Sequence, residues 1–236
     1  MKSKEIPNTL NFADIVIISK TARPNDRSFP YAPQVCRCEN CIYYSEHRCM
    51  LKRCCCMKER VRARSCSIEE ILRDCFANIK DTIFRFRVKM AIQRAVDSMS
   101  CFLNAKHRKR FEEGCALTRR NDAEFIAQLF LLSASEKLWS RAKKAWCGGN
   151  IAYSDISLHD LSNNAYVFYC AAFDYRYGTS HADIEDICND EIVDFDTFCI
   201  ICYSVAISTY GINVVMIAET GKTKKEERKG RTKKNG

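Results

Sequence analysis

The spacing of apolar residues beyond the first quarter of the chain predicts helices. From Ser67 onward, apolar side chains recur every three or four residues, a period that places them on one helix face. The positions on this face are Ile68, Leu72, Cys75, Ile79, Ile83, Phe86 and Met90. Ser67 and Glu70 also form a capping-box pattern. The sequence therefore predicts one long helix over residues 67–99 with this face buried.

Similar patterns predict further helices between residues 106 and 210. Asn121 or Asp122 is expected to cap one helix, and Ser133 with Glu136 forms a second capping box whose helix ends at Cys147. The other predicted helices cover residues 106–117, 160–177, 182–188 and 195–210, and a strand or an extended end covers 212–217. All four prolines precede residue 34. Because the rest has no proline to interrupt a helix, the pattern predicts a mainly α fold, a helical bundle.

Cysteine is concentrated in a short segment with few aliphatic residues. Between Cys36 and Cys66 the spacing is C-x-C-x2-C-x7-C-x4-C-C-C-x9-C. Structural zinc takes four ligands, often from pairs with the C-x2-C spacing of Cys38 and Cys41. A bound zinc ion supplies the folding free energy that so small a segment cannot obtain from an apolar core. We therefore expect a small N-terminal Cys-rich zinc module over residues 31–66.

The spacing leaves the ligand set of this zinc module open. The expected ligands are Cys38, Cys41, Cys49, Cys54, Cys55 and Cys56, with Cys36 and Cys66 as further candidates and His47 as a substitute. One Zn2+ ion is expected, although eight thiols would also serve two. The alternatives are an iron–sulfur cluster, which four cysteines also hold, reduced thiols on a loop, and a redox-active pair.

Basic residues are concentrated in three runs, and the formal net charge is +9. Residues 48–64 carry seven Lys/Arg and one Glu, residues 221–236 carry eight Lys/Arg and two Glu, and a third run covers 106–110. Lys and Arg side chains bind nucleic acid by neutralising phosphates, although a solvated surface explains the runs as well. The expected nucleic-acid contacts are Arg53, Lys58, Arg60, Arg62, Arg64, Lys106, Arg108 and Lys109.

Acidic residues are concentrated in the C-terminal half. Residues 155–196 carry ten Asp/Glu and one Arg. Such a surface could mimic nucleic acid and occupy a basic groove on a partner protein, or bind a cation. The expected partner-binding residues are Asp183, Glu185, Asp186, Asp190 and Glu191.

No pattern for catalysis or membrane insertion accompanies these clusters. The sequence has no Walker motif, dinucleotide fingerprint or H-E-x-x-H, and its histidines have no nearby Ser or Cys arranged as a triad. Cys199 and Cys202 lie in an apolar run and are expected in the core. No apolar run approaches the length of a membrane span. We therefore expect a non-enzymatic, cytoplasmic protein that does not contact membranes; its oligomeric state stays open.

Two parts of the sequence resemble a known family. The first is CENCIYYSEHRCMLKRCCCMKER, and the second comprises FLNAKHRKRF, FLLSASEKLWSRA, YCAAFDYRYGTSHADIEDICNDEIVD and FCIICYSVAISTYG. Together, over roughly residues 31–212, they resemble uncharacterised Cys-rich accessory proteins of conjugative transposons and plasmids in Gram-positive gut bacteria. This resemblance implies a mobile-element setting and a cysteine module joined to an α-helical domain, but no activity.

These patterns divide the chain into four regions. We expect a loosely ordered arm over 1–30, the zinc-binding module over 31–66, an α-helical domain over 67–219 and a disordered basic tail over 220–236. The expected function is that of a zinc-stabilised binding protein of a mobile genetic element, contacting nucleic acid or a host nucleoprotein complex. The alternative is a protein-directed inhibitor or adaptor, an anti-CRISPR-like antagonist that acts on a host defence enzyme through the acidic helical domain.

Overall fold

A computed structural model describes residues 57–62, 64, 66–181 and 184–220. These residues form ten α-helices and one short hairpin, which confirms the predicted mainly helical fold. The helices are α1 Met57–Arg62, α2 Ile68–Cys75, α3 Thr82–Ser98, α4 Ala105–Leu117, α5 Ala123–Leu132, α6 Glu136–Lys144, α7 Asn163–Tyr177, α8 Ile184–Cys188, α9 Phe195–Tyr210 and α10 Asn213–Thr220. The N-terminal arm, most of the zinc module and the basic tail after Thr220 lie outside the described residues.

Two helices, α5 and α9, form the centre of the fold. Every side chain from Phe125 to Leu132 in α5 and from Thr197 to Thr209 in α9 is buried. A helix that is apolar all round has to be enclosed, and α5 packs against both α7 and α9, while α9 also packs against α2 and α3. Cys199 and Cys202 belong to this core, as predicted.

The predicted long helix over residues 67–99 is wrong, because it is two helices. The first, α2, has the predicted capping box at Ser67 and ends at Cys75. Asp81 then caps α3 by accepting a hydrogen bond from the backbone N–H of Phe84 at 2.7 Å. The break lets α2 and α3 pack against each other.

The break also changes which face of α3 is buried. Phe84 and Val88 point into the core, with exposures of 1% and 6%. The residues predicted to be buried, Ile83, Phe86 and Met90, are 63%, 64% and 44% exposed. The predicted apolar face is therefore correct only as far as Ile79.

The second predicted capping box is displaced by two residues. Ser135 caps α6, and its Oγ accepts a hydrogen bond from the backbone N–H of Leu138. The hydroxyl of Ser133 instead donates to the Phe130 carbonyl at 3.1 Å. Helix α6 ends at Lys144 rather than at residue 147. The chain then forms a hairpin of strands β1 (Trp146–Cys147) and β2 (Asn150–Ile151), and its two turn glycines have positive φ, as a type I′ turn requires.

Residues 213–217 form part of α10, so the predicted strand or extended end over 212–217 is wrong. Gly211, at φ +83°, separates α10 from α9, and the two helices are bent by 118°. Among the described helices, none alone has both the length and the apolar composition of a membrane span; α9 and α10 reach them only as a bent pair.

Candidate nucleic-acid interface

Most of the predicted metal ligands precede α1. Cys36, Cys38, Cys41, Cys49, Cys54, Cys55 and Cys56 lie outside the described residues. The remaining candidate, Cys66, is half-buried and packs against the hydrophobic core. Within the ranges described above, no three His, Cys, Asp or Glu side chains are grouped so as to hold a metal ion. The zinc module therefore stays a prediction from the sequence.

The cysteines of the helical core have the properties of apolar side chains. Burial raises the pKa of Cys101 to about 12 and raises the pKa values of Cys75 and Cys202 well above the ordinary thiol value. A buried thiol that stays protonated at neutral pH is a poor nucleophile. These residues fill the core.

Two basic runs that are distant in the sequence converge on α10. Arg64, just after α1, donates from Nη2 to the sulfur of Met216 at 2.9 Å. Arg108, in α4, pairs with the carboxylate of Glu219. Met216 and Glu219 are three residues apart, so they share one helix face about 4.5 Å apart along the axis. Arg64 and Arg108 are therefore neighbours on the same side of α10.

The first two turns of α4 add two lysines to this surface. Lys106 and Lys109 are exposed, and in the described chain no carboxylate lies within ion-pair distance of either. Arg108 lies between them in sequence, with its guanidinium 5.3 Å from the ring centroid of Phe102. We refer to Arg64, Lys106, Arg108 and Lys109 as the α10 basic patch.

A buried histidine, His107, lies in α4 between two residues of the α10 basic patch. His107 is fully buried, and its Nδ1 accepts a hydrogen bond from the backbone N–H of Leu103 at 3.2 Å. The ring proton is therefore on Nε2, which donates to the Phe130 carbonyl at 2.9 Å. Burial lowers the pKa of His107 to about 3. This neutral ring fixes α4, and the patch that α4 carries, to α5.

The α1 residues differ in how they are placed. Lys58 and Arg62 are exposed, as a phosphate contact requires. Arg60 is fully buried, and its Nη2 lies 2.6 Å from Glu70 Oε1. Its guanidinium holds α1 against α2, so we exclude Arg60 from the interface. Arg53 lies outside the described residues.

The acidic residues lie on another part of the surface, around α8. Glu185, Asp186, Asp190 and Glu191 are exposed, and Asp183 lies outside the described residues. The buried Arg87 of α3 anchors this segment by donating to the carbonyls of Cys188 and Val193 at 2.7 and 2.8 Å. Arg87 also pairs with Asp190 at 2.8 Å. The acidic surface is therefore held to the core at both ends.

Met216 and Glu219 are the residues of the candidate interface that the sequence did not indicate. Met216 lies in the segment predicted as a strand or extended end, Glu219 lies two residues beyond that segment, and their contacts with Arg64 and Arg108 are long-range. No local pattern could have shown that α10 joins the two basic runs.

Comparison of the chain with models of protein families, with curated proteins and with solved structures finds no match in any of the three.

Proposed function

We propose that the protein binds nucleic acid without catalysing a reaction, and that the α10 basic patch is the central contact. The observation that supports this most directly is the meeting of Arg64 and Arg108 on one face of α10. Residues 221–236, with eight Lys/Arg, continue the chain directly after Thr220. Two basic residues that are distant in the sequence therefore meet on α10, and a third basic segment follows α10 directly in the sequence. Contacts of Lys and Arg with phosphates bind without reading sequence.

We propose further that residues 31–66 form a zinc-stabilised module that extends this contact. Its basic part, residues 48–64, includes Arg64 of the patch. The resemblance to accessory proteins of conjugative elements suggests a mobile-element setting, in which the nucleic acid is the DNA of the element or a nucleoprotein complex formed on it.

Replacing the two patch lysines is expected to weaken duplex binding in a salt-dependent manner. Each phosphate contact contributes about 0.9 to the slope of log K against log salt. The double variant Lys106→Gln/Lys109→Gln should therefore lower this slope by about 1.8. The measurement is fluorescence anisotropy of a labelled duplex of arbitrary sequence, titrated at several salt concentrations with the full-length chain.

The matched control removes two exposed lysines outside the patch, Lys80 and Lys144. Lys80→Gln/Lys144→Gln is expected to keep the wild-type slope, because it removes the same charge without removing a contact. If both double variants lower the slope equally, the chain binds through net charge and the α10 basic patch is not the interface.

Removing the carboxylate that pairs with Arg108 is expected to have the opposite effect. In Glu219→Gln the guanidinium of Arg108 no longer has to exchange a carboxylate for a phosphate, so duplex affinity should rise by roughly 2- to 5-fold, as expected for one partly exposed ion pair. In the Arg108→Gln background the same substitution should produce no such gain. A gain of equal size in both backgrounds would mean that Glu219 acts only through overall charge.

The acidic segment around α8 supports a second candidate function, that of a protein-directed inhibitor or adaptor. Its carboxylates are exposed but fixed, because Arg87 ties the segment to α3 at Cys188 and Val193. A fixed acidic surface is what a mimic of nucleic acid requires. Neutralising the carboxylates of this segment separates the two candidates, because it should abolish inhibition of a partner protein while duplex binding persists.

A further inference from the structure

Helix α3 exposes a row of large apolar side chains. Ile83, Phe86 and Met90 are 63%, 64% and 44% exposed. Their spacing of three and four residues places them on one face over two helical turns. Single exposed apolar side chains are common, whereas a contiguous row of large ones indicates an interaction site.

An open cleft of about 710 Å³ lies beside this row, between α2 and α3. Phe86 belongs to both the row and the cleft. The cleft is lined by Arg73, Phe76, Ala77, Thr82, Arg85, Phe86, Val88, Lys89 and Ile92. Its ionisable lining residues are thus all basic. Arg73 pairs with Glu69 at 2.8 Å, but no acidic side chain in the described part of the chain pairs with Arg85 or Lys89.

Ring contacts and a hydrogen bond on the buried side of α3 hold the row and the cleft in place. Phe84, on the buried side of α3, makes edge contacts with Phe76 and Phe198 at centroid distances of 5.5 and 5.4 Å. The hydroxyl of Tyr203 donates to the carbonyl of Ala91 at 2.8 Å and ties α3 to α9. A partner therefore meets a surface that is already formed, which reduces the entropy lost on binding.

We propose that this surface of α3 docks an acidic amphipathic helix of a partner protein. Such a helix lays an apolar face, repeating every three or four residues, onto a hydrophobic groove. The row supplies the matching apolar surface, and Arg85 and Lys89 supply the complementary charge for carboxylates along the edge of the helix.

Charge and side-chain chemistry favour an acidic helix over single-stranded nucleic acid and over a second copy of the chain. Single-stranded nucleic acid stacks its bases on aromatic rings, and two members of the row, Ile83 and Met90, are aliphatic. A second copy of the chain, related by a two-fold axis, would present the same surface. It would bring Arg85 and Lys89 of both copies into one interface, where like charges repel.

The test uses a labelled 18-residue peptide with leucines in the i, i+3, i+4, i+7 pattern and glutamates elsewhere. A twin peptide carries lysine in place of every glutamate. We expect full-length protein to bind the glutamate peptide at least about tenfold more tightly, the effect of a few complementary charges. Phe86→Ser should weaken binding about 10- to 30-fold, as for a central aromatic anchor.

A charge exchange gives the second and more specific readout. Arg85→Glu/Lys89→Glu should reverse the preference, so that the lysine peptide binds more tightly than the glutamate peptide. Tyr166→Ser, which removes a half-exposed aromatic side chain from α7, is the matched control and should change neither affinity. Lys106→Gln/Lys109→Gln should also leave peptide binding unchanged, because this site does not depend on the α10 basic patch.

Four results would overturn the proposal. Equal binding of both peptides, or no reversal in the charge-exchanged variant, would show that charge does not select the occupant. A single-stranded oligonucleotide that binds wild type but not Phe86→Ser, while the glutamate peptide does not bind, would assign the surface to nucleic acid. Sedimentation of wild type as a dimer and of Phe86→Ser as a monomer would assign it to a second copy of the chain.

Discussion

Acidification from pH 8 to pH 5 is expected to lower the free energy of unfolding by about 2 kcal/mol through His107 alone. Burial, assisted by the charge of Arg110 and opposed by the hydrogen bond to Phe130, lowers the pKa of this ring from 6.5 to about 3. The unfolded chain therefore binds a proton that the folded chain excludes. This contribution to the stability is fully present above pH 6.5 and is lost as the pH falls below it, by about 4 kcal/mol at pH 3 and by about 5 kcal/mol at still lower pH.

Urea unfolding of wild type and His107→Gln, followed by tryptophan fluorescence between pH 8 and pH 5, isolates this effect. Glutamine retains an amide donor for the Phe130 carbonyl but does not titrate in this range. The variant is expected to be the less stable protein at pH 8, with the difference shrinking by about 2 kcal/mol at pH 5. His159→Gln, which changes an 82% exposed histidine, should follow wild type. A difference that stays constant with pH would show that His107 is not held neutral.

Elements whose signals are local could be predicted from the sequence. Helix α9 begins after Asp194, which caps it by accepting from the backbone N–H of Thr197, and ends at Gly211. Both residues are standard helix boundaries. Its apolar composition on every side also required a buried position. For α9 the capping residues and the apolar pattern therefore predict the same thing, a buried helix with these bounds.

The burial of α3 could not be predicted, because two of its faces are apolar. Phe84, Val88 and Ala91 repeat with the same period as Ile83, Phe86 and Met90. Only the break before Asp81 and the packing against α9 determine which face is buried. No proline or glycine marks that break, so the sequence favours a continuous helix and the wrong face.

In the candidate interface, too, local features could be predicted from the sequence and long-range contacts could not. Basic runs are visible in the sequence, but composition does not distinguish the exposed Lys106 from the buried Arg60. Their convergence depends on the contact of Arg64 with Met216, 152 residues away. The sequence therefore predicts which residues carry the charge. It does not predict Met216 and Glu219, the residues that bring them together.

Loss of zinc is expected to have the largest effect on the N-terminal region. Structural zinc contributes about 10–16 kcal/mol of apparent binding free energy in small peptides, which is comparable with the whole stability of a domain. Wild-type protein purified without chelator should contain one zinc ion per chain by mass spectrometry. Cys38→Ser/Cys41→Ser should contain none and should bind duplex more weakly, because the proposed module would no longer fold and present its basic residues to the duplex.

The helical domain provides the internal control for this experiment. Its core is apolar and includes Cys199 and Cys202, so a chelator should leave the far-ultraviolet circular dichroism of the helices largely unchanged. Cys147→Ser, which changes an exposed thiol on the hairpin, should retain the wild-type zinc content. Bound iron together with visible absorption would show that the module holds an iron–sulfur cluster instead of zinc. Protein that is free of metal and still binds duplex at full strength would show that the cysteine module makes no contribution to binding.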